Sequence, residues 1–169
     1  MKKTVLTFGL LAGLVIMVMM FTTLLLSDRI GFGKGEIIGY TTIILSFLLV
    51  FFGIRSYREN VSGGTITFGR AFAVGILITL IATVFYVATW EVMYFKFMPD
   101  FCDKYAAYAI EKARAAGASA QQIQATADEM KRFKVMLDNP FINAALTFTE
   151  PFPIGFIITL ISSAVLRKK

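Results

Sequence analysis

The sequence predicts an all-α integral membrane protein with four transmembrane helices and an extramembrane two-helix hairpin between the third and fourth. The first observation behind this prediction is a set of four apolar stretches, at residues 4–26, 37–54, 71–90 and 141–166. The first three contain 23, 18 and 20 residues without a charged side chain. A helix needs about 20 apolar residues to cross the roughly 30 Å of hydrocarbon in a bilayer. Because no water can bond the backbone there, such stretches must be helical.

The second observation is the placement of charge along a chain whose net charge is +6. At one end of the predicted bundle, the segments beside the spans carry one acid, Glu59, and these cations: Lys2, Lys3, Arg55, Arg58, Arg70, Arg167, Lys168 and Lys169. The two loops at the other end each balance to zero. An excess of lysine and arginine marks cytoplasmic segments. The pattern therefore predicts a multi-pass protein of the bacterial inner membrane with both termini in the cytoplasm.

The same cations bear on two other interpretations. They flank apolar segments and form no stripe with interleaved aromatic residues, so the lipid bilayer is the expected partner and nucleic acid is not. Lys2 and Lys3 before an apolar stretch resemble a secretory signal. Residues 4–26 are longer than an h-region of about 7–15 residues, however, and no A-x-A-like cleavage site follows them. We interpret this stretch as a retained first helix.

The composition also limits the chemistry available to the chain. It has no histidine and a single cysteine, Cys102. This removes catalysis by Ser-His-Asp or Cys-His groups, zinc and haem sites with histidine ligands, and an intrachain disulfide. No aspartate lies within a predicted span, which counts against an intramembrane aspartyl protease. We therefore expect no enzymatic activity, no catalytic residue, no cofactor and no metal.

Glycine motifs predict how the first two spans pack and connect. Gly9 and Gly13 form a G-x-x-x-G spacing that allows another helix to approach closely. That contact could join two copies of the chain, or, as we favour, lie within the same bundle. Residues 27–36 include three glycines, which could suggest a phosphate-binding loop, but the spacing of such a loop is missing. We therefore predict a flexible turn in this segment.

The second and third predicted helices have recognisable ends. The second is expected to end at Arg55, where the charged inward segment begins. Thr67 is a suitable N-cap for the third. Tyr86, Trp90 and Tyr94 lie near the outer end of the third helix, where aromatic side chains commonly occupy the membrane interface.

Residues 99–138 carry the signals of an outward helical hairpin. Pro99 suits the first helical position and Gly117 a helix stop. Ser119 and Gln122 form a capping box for the second arm. A stripe recurs along that arm at helical spacing, made of Ile123, Ala127, Met130, Lys134 and Leu137, with Phe133 beside it. We favour packing of the stripe on the first arm; the membrane surface and a partner protein are the alternatives.

Two acids, Glu91 and Glu150, are candidate intramembrane functional residues. An ionisable group inside a bilayer is costly, so its presence there favours a function. Glu150 precedes two prolines that should break the fourth helix. The two carboxylates could face each other and share a proton. Alternatively, Glu91 reaches interfacial water or Lys96, and Glu150 only caps the final helix.

Three stretches of the chain resemble a known family. They are residues 53–60 (GIRSYREN), 64–72 (GTITFGRAF) and 155–169 (GFIITLISSAVLRKK). They are similar to small four-helix bacterial membrane proteins, common in Bacteroidota, that are described only as a domain of unknown function. The resemblance covers nearly the whole chain and implies a four-helix inner-membrane protein. It supplies no activity, cofactor or catalytic residue.

These observations favour a non-enzymatic structural or accessory component of a membrane assembly. Its partners would be the bilayer and another membrane protein or a second copy, with Gly9 and Gly13 as one contact surface. The alternative is a small oligomeric transporter or channel that uses Glu150 and the proline-broken fourth helix. An oligomer would be needed, because four helices with so few polar residues can hardly enclose a pathway.

Overall fold

The computed structural model describes residues 1–168, apart from the side chain of Asp28. Within that range the chain is helical and no β-strand forms. The helices are α1 (Lys2–Leu25), α2 (Ser27–Ile30), α3 (Phe32–Asn60), α4 (Phe68–Val92), α5 (Phe101–Ala115), α6 (Ala120–Leu137), α7 (Pro140–Phe148) and α8 (Pro151–Leu166), with a π-helical turn at Met93–Phe97 that continues α4.

Four of these helical segments are long and apolar enough to cross a membrane. They are α1, α3, α4 with its π-helical turn, and α7 with α8 as one interrupted segment. The structure therefore has four long apolar helical segments in the predicted order, but two local predictions are wrong. Helix α3 does not end at Arg55 and continues to Asn60. Residues 27–36 do not form a flexible turn, because α2 and the first turn of α3 occupy most of them.

The four long segments form a bundle in which α4 has the most neighbours. It packs on α1, α3, α7 and α8, while α3 packs on both α1 and α8. We call the end of the bundle that contains Lys2 and Leu166 the terminal end, and the opposite end, next to α5 and α6, the hairpin end. The core of the terminal half includes the completely buried side chains of Phe47, Val50 and Ile78.

Hydrogen bonds to main-chain groups join neighbouring segments at the terminal end. Ile66 and Lys168 form an isolated antiparallel bridge, with N–H to O distances of 2.9 and 3.0 Å. Arg58 Nη1 donates to the carbonyl oxygen of Leu166 at 3.1 Å. This bond satisfies one of the carbonyl groups that the end of α8 leaves without a helical partner. Thr67 caps α4 as predicted, since its hydroxyl accepts from the N–H of Arg70.

The G-x-x-x-G surface of α1 faces α4. A Cβ atom at Gly9 would lie 2.9 Å from Cβ of Ile81, and one at Gly13 would lie 2.6 Å from Cγ of Phe85. Real Cβ atoms do not approach other heavy atoms so closely, so both positions require glycine for this packing. The interpretation that we favoured, contact within the bundle, describes what these two glycines do in the structure.

Helices α5 and α6 form the predicted hairpin. Gly117 has φ +78° and ends the first arm, and Ser119 and Gln122 form the complete capping box of the second. Pro99 is not at the first helical position, because it lies in a turn and α5 begins at Phe101. The two arms pack on each other, with Leu137 buried in the seam.

Polar contacts add to this seam. Lys134 Nζ lies 2.7 Å from both carboxylate oxygens of Asp103 on the other arm. The hydrogen bond to Asp103 raises the pKa of Lys134, so the ammonium group keeps its charge over the whole physiological range. Cys102, in the same seam, is 6% exposed.

Cys102 is expected to react slowly with N-ethylmaleimide in the folded protein. Burial raises the pKa of its thiol above the usual value, so less of the reactive thiolate is present at neutral pH, and the reagent has little access. The labelling rate at pH 7, followed by mass spectrometry, should be at least about tenfold lower than in protein denatured with dodecyl sulfate. Labelling at equal rates in the two states would mean that the hairpin seam is open.

Candidate functional site

The fourth long segment is broken at Thr149 and Glu150, between α7 and α8. Pro151 occupies the first position of α8 and has no N–H to donate to the preceding turn, which explains the break. Glu150 occupies the cap position, but its side chain forms no capping bond. It accepts a hydrogen bond from the hydroxyl of Tyr86 on α4 at 2.5 Å. Glu150 thus has the cap position expected in the alternative interpretation, but its carboxylate bonds to Tyr86 and not to the main chain of α8.

The break separates two differently packed halves of the bundle. On the terminal side, α8 packs on both α3 and α4. On the hairpin side, α7 packs on α4 but makes few close contacts with α3. The hairpin half of α3 therefore diverges from α7 and leaves a chamber of about 490 Å³ between them. The lining comes from α1, α2, α3, α4, the hairpin, α7 and the break between α7 and α8.

Two carboxylates line this chamber, Glu36 from α3 and Glu150 from the helix break. Tyr40 follows Glu36 by one helical turn and also lines the chamber. Lys and Arg side chains are missing from the lining, as far as residues 1–168 show. In the same range, neither Glu36 nor Glu150 forms an ion pair with a cation. Both carboxylates are exposed in the open chamber.

Aromatic side chains from the hairpin form the roof of the chamber. The ring of Phe32, at the start of α3, contacts those of Phe101, Tyr105 and Tyr108 at centroid distances of 5.5–5.7 Å. Burial, and then the negative charge of Glu36, raise the pKa of Tyr105. The hydroxyl of Tyr105 therefore stays protonated at physiological pH and can donate a hydrogen bond.

A buried polar network supports the wall formed by α4 and α7. Trp90 Nε1 donates to Oδ1 of Asn143 at 2.9 Å, and the hydroxyl of Thr147 donates to the same oxygen at 3.1 Å. Asn143 Nδ2 donates to the carbonyl oxygen of Leu137 at 2.9 Å. Asn143 is completely buried, and its amide thus joins α4, α7 and the end of the hairpin. One face of Trp90 remains part of the chamber lining.

Glu91, the second predicted acid, does not line the chamber. Its Oε1 atom is buried and has no hydrogen-bond partner within the described residues. Two of the contacts considered for this residue are not formed among residues 1–168, because Glu150 meets Tyr86 and no ion pair joins Glu91 to Lys96. The carboxylate that shares a chamber with Glu150 is Glu36.

Sequence reasoning missed Glu36 and Tyr40 because the three glycines before them suggested a loop. Their spacing of four residues would place both on one face of a helix, but only if the helix begins before Glu36. The three aromatic side chains near the hairpin end of α4 face the chamber or the protein core. Tyr86 and Trp90 line the chamber, and Tyr94 is 4% exposed and donates to Asp138 at 2.9 Å.

Replacing Tyr86 with phenylalanine is expected to lower the free energy of unfolding by about 1–2 kcal/mol, because a hydrogen bond to a charged acceptor is lost. The matched control is Tyr40→Phe, which removes a hydroxyl from the same chamber that has no hydrogen bond in the described structure. Both can be compared with wild type by thermal unfolding in detergent, followed by circular dichroism. Equal effects of the two changes would contradict a specific Tyr86–Glu150 bond.

Within the described residues, no group of three or more Cys, Asp or Glu side chains lies close enough together to hold a metal ion. A family model described as Protein of unknown function (DUF4199) matches residues 7–168, a range that contains every chamber residue named above. Comparisons with curated proteins and with solved structures found no match.

Proposed function

The chain belongs to this family of proteins of unknown function, and we propose that it is a non-enzymatic accessory component of the bacterial inner membrane whose chamber binds a ligand. In this proposal the chain crosses the membrane four times, with both termini in the cytoplasm. The chamber then opens toward the outer side of the membrane. The protein acts in an assembly with another membrane protein or with further copies of itself.

The observation that carries this proposal is that the chamber has one blind end. Its lining residues belong to the hairpin half of the bundle. In the terminal half, Phe47, Val50 and Ile78 are completely buried, and Gly75 and Gly155 lack room for even a Cβ atom. A cavity of this shape suits binding of a ligand from one side better than conduction through a single chain.

A side chain that fills the chamber tests this proposal directly. Gly39 lines the chamber, and a Cβ atom there would meet no neighbouring atom within 4 Å. Gly39→Phe should therefore occupy the chamber with little effect on helix packing. Gly69, which has equally free surroundings at the start of α4, provides the control Gly69→Phe. Native mass spectrometry of protein purified from the membrane should show a bound small molecule in wild type and Gly69→Phe, and none in Gly39→Phe.

Absence of a bound molecule from wild type, or its persistence in Gly39→Phe, would contradict the chamber as the binding site.

The orientation of the chain in the membrane has its own test. A phosphatase reporter fused after Gly117 should be active in the periplasm, and one fused after Ser62 should be inactive in the cytoplasm. The excess of lysine and arginine in the sequence segments beside the spans at this side supports this orientation. The opposite reporter pattern would mean that the chamber opens toward the cytoplasm.

The position of Glu150 favours a second candidate function, transport by an oligomer. The acid lies at a broken helix and faces a chamber, as substrate and ion sites do in many transporters. In proteoliposomes, Glu150→Gln should then abolish proton-dependent flux, while Glu129→Gln on the exposed surface of α6 should leave it unchanged. Absence of flux from the wild-type protein would contradict transport and leave the accessory function in place.

A further inference from the structure

We propose that the ligand is an organic cation, whose alkylated ammonium group lies between Glu36 and Glu150 and whose apolar part contacts the aromatic walls. This inference rests on the proposed function of the chamber as a ligand site and adds the chemical class of the ligand. It follows from three properties of the chamber: its charge, its aromatic lining and its size.

The charge of the lining is uncompensated. Among the side chains that the structure describes, Glu36 and Glu150 are the charged ones that line the chamber, and neither is paired there with a lysine or arginine. Tyr86 donates to one oxygen of Glu150 and leaves the other free to interact with a ligand. Two unpaired carboxylates in a mainly apolar chamber are stabilised by a cation placed between them.

The aromatic lining indicates that this cation carries alkyl groups. Tyr40, Tyr86, Trp90, Phe101 and Tyr105 all contribute to the walls. Faces of tyrosine and tryptophan attract ammonium groups, and they are the usual lining of sites for quaternary ammonium compounds. A small inorganic cation would instead require several oxygen ligands. The chamber combines two carboxylates with several aromatic rings, and this combination matches an alkylated ammonium group.

The size of the chamber limits the ligand to a small molecule or the headgroup of a lipid. A volume of about 490 Å³ lies within the range of roughly 300–1,000 Å³ that is usual for small-molecule sites. The gap between α3 and α7 would admit either a soluble amine from the outer side or a choline headgroup from the bilayer. Both sources present the same alkylated ammonium group to Glu36 and Glu150.

The single tryptophan of the chain provides the assay, because Trp90 lines the chamber. The full-length protein in phosphatidylglycerol nanodiscs is titrated with benzyltrimethylammonium, and Trp90 emission is recorded with excitation at a wavelength the ligand does not absorb. We expect a saturable change in emission. Neopentylbenzene, the uncharged isostere, should produce no saturable change at the same mole fraction of lipid.

Matched variants locate the binding site. Glu36→Gln and Glu150→Gln should each raise the Kd for benzyltrimethylammonium about tenfold or more, and Glu129→Gln on the surface of α6 should leave it unchanged. Glu36→Gln keeps the test interpretable if Glu150→Gln unfolds, because Glu36 forms no side-chain hydrogen bond in the described structure. An unchanged Kd in Glu36→Gln would overturn the proposed position of the cation.

The remaining outcomes separate this inference from the proposed function. Equal binding of neopentylbenzene would contradict a cationic ligand, but it would still support the chamber as a ligand site. No response to either compound, together with no bound molecule in wild type, would overturn both. Nanodiscs of equal surface charge distinguish the two sources of the cation, because anionic lipid by itself concentrates amines at the membrane surface. Both contain half phosphatidylglycerol, and the other half is phosphatidylcholine in one and an uncharged galactolipid in the other. A choline headgroup in the chamber should change Trp90 emission without added amine and weaken the binding of benzyltrimethylammonium in the first, whereas a site for a soluble amine should behave alike in both.

Discussion

Gly155→Ala is expected to lower the free energy of unfolding by about 2–3 kcal/mol, the upper part of the range for overpacking a closely packed core. The new Cβ atom would lie 2.5 Å from Cγ2 of Thr79 and 2.8 Å from Cζ of Phe47. Neither neighbour can move away easily. Thr79 Oγ1 lies 3.0 Å from Oγ1 of Thr159 and 3.4 Å from the carbonyl oxygen of Gly155. Phe47 is completely buried. Helix α8 would have to move away from α3 and α4.

The control for this prediction is Gly69→Ala, in the first turn of α4. A Cβ atom at Gly69 meets no other atom within 4 Å, and alanine is favoured over glycine in a helix by about 1 kcal/mol. Thermal unfolding in detergent should therefore show a lower transition temperature for Gly155→Ala and an unchanged or higher one for Gly69→Ala. Equal stability of the two variants would mean that α8 can move away from α3 and α4 at little cost, contrary to the packing described here.

The parts of the fold that follow from local signals could be predicted from the sequence. The lengths of the four apolar stretches depend on composition alone, and the structure contains four segments that are long and apolar enough to cross a membrane. The ends of the hairpin arms depend on short-range hydrogen bonds. Thus Ser119 caps α6, and Gly117 adopts the positive φ that ends α5. Each of these features is determined within a few residues.

The chamber could not be predicted in this way, because it depends on how distant helices diverge. The sequence indicated a break at Glu150, and the structure has one. It gave no sign that α3 would pack on α8 and leave a gap beside α7. Glu36 illustrates the difficulty. The glycines at 31, 33 and 35 favour a loop at this point of the sequence, yet α3 begins at Phe32 and carries Glu36 into the chamber.

The position of Glu91 relative to the chamber also depends on packing between distant helices. Counting residues along a helix gives the approximate position of a side chain along the helix axis, but it does not give the direction in which the side chain points. Glu91 and Glu150 both lie toward the hairpin end, so a contact between them was reasonable. Tyr86 and Trp90 share the face of α4 that lines the chamber, and Glu91, which follows Trp90 directly, is rotated about 100° away from it. The packing of α7 on α4 determines that Glu150 contacts the face of α4 with Tyr86 and not the face with Glu91.

Asn143→Ala is expected to destabilise the protein most, by about 3 kcal/mol. The change removes hydrogen bonds to Trp90, Thr147 and the carbonyl oxygen of Leu137, each worth about 1 kcal/mol. Because Asn143 is completely buried, no water can readily replace the lost amide. The indole N–H and the Leu137 carbonyl would then be left without partners where α4, α7 and the hairpin meet. The roof of the chamber should loosen along with the rest of the bundle.

Asn60→Ala supplies the matched control. Its amide also donates to a main-chain carbonyl, that of Ser56 at 3.0 Å, but at an exposed position, where water can take over the bond. Thermal unfolding followed by Trp90 emission should therefore show a large loss of stability for Asn143→Ala and little change for Asn60→Ala. Labelling of Cys102 should also become faster in Asn143→Ala, since the hairpin seam lies next to the broken network. An unaltered labelling rate combined with a large loss of stability would confine the damage to α4 and α7, and it would show that the hairpin is held by its own seam and not by Asn143.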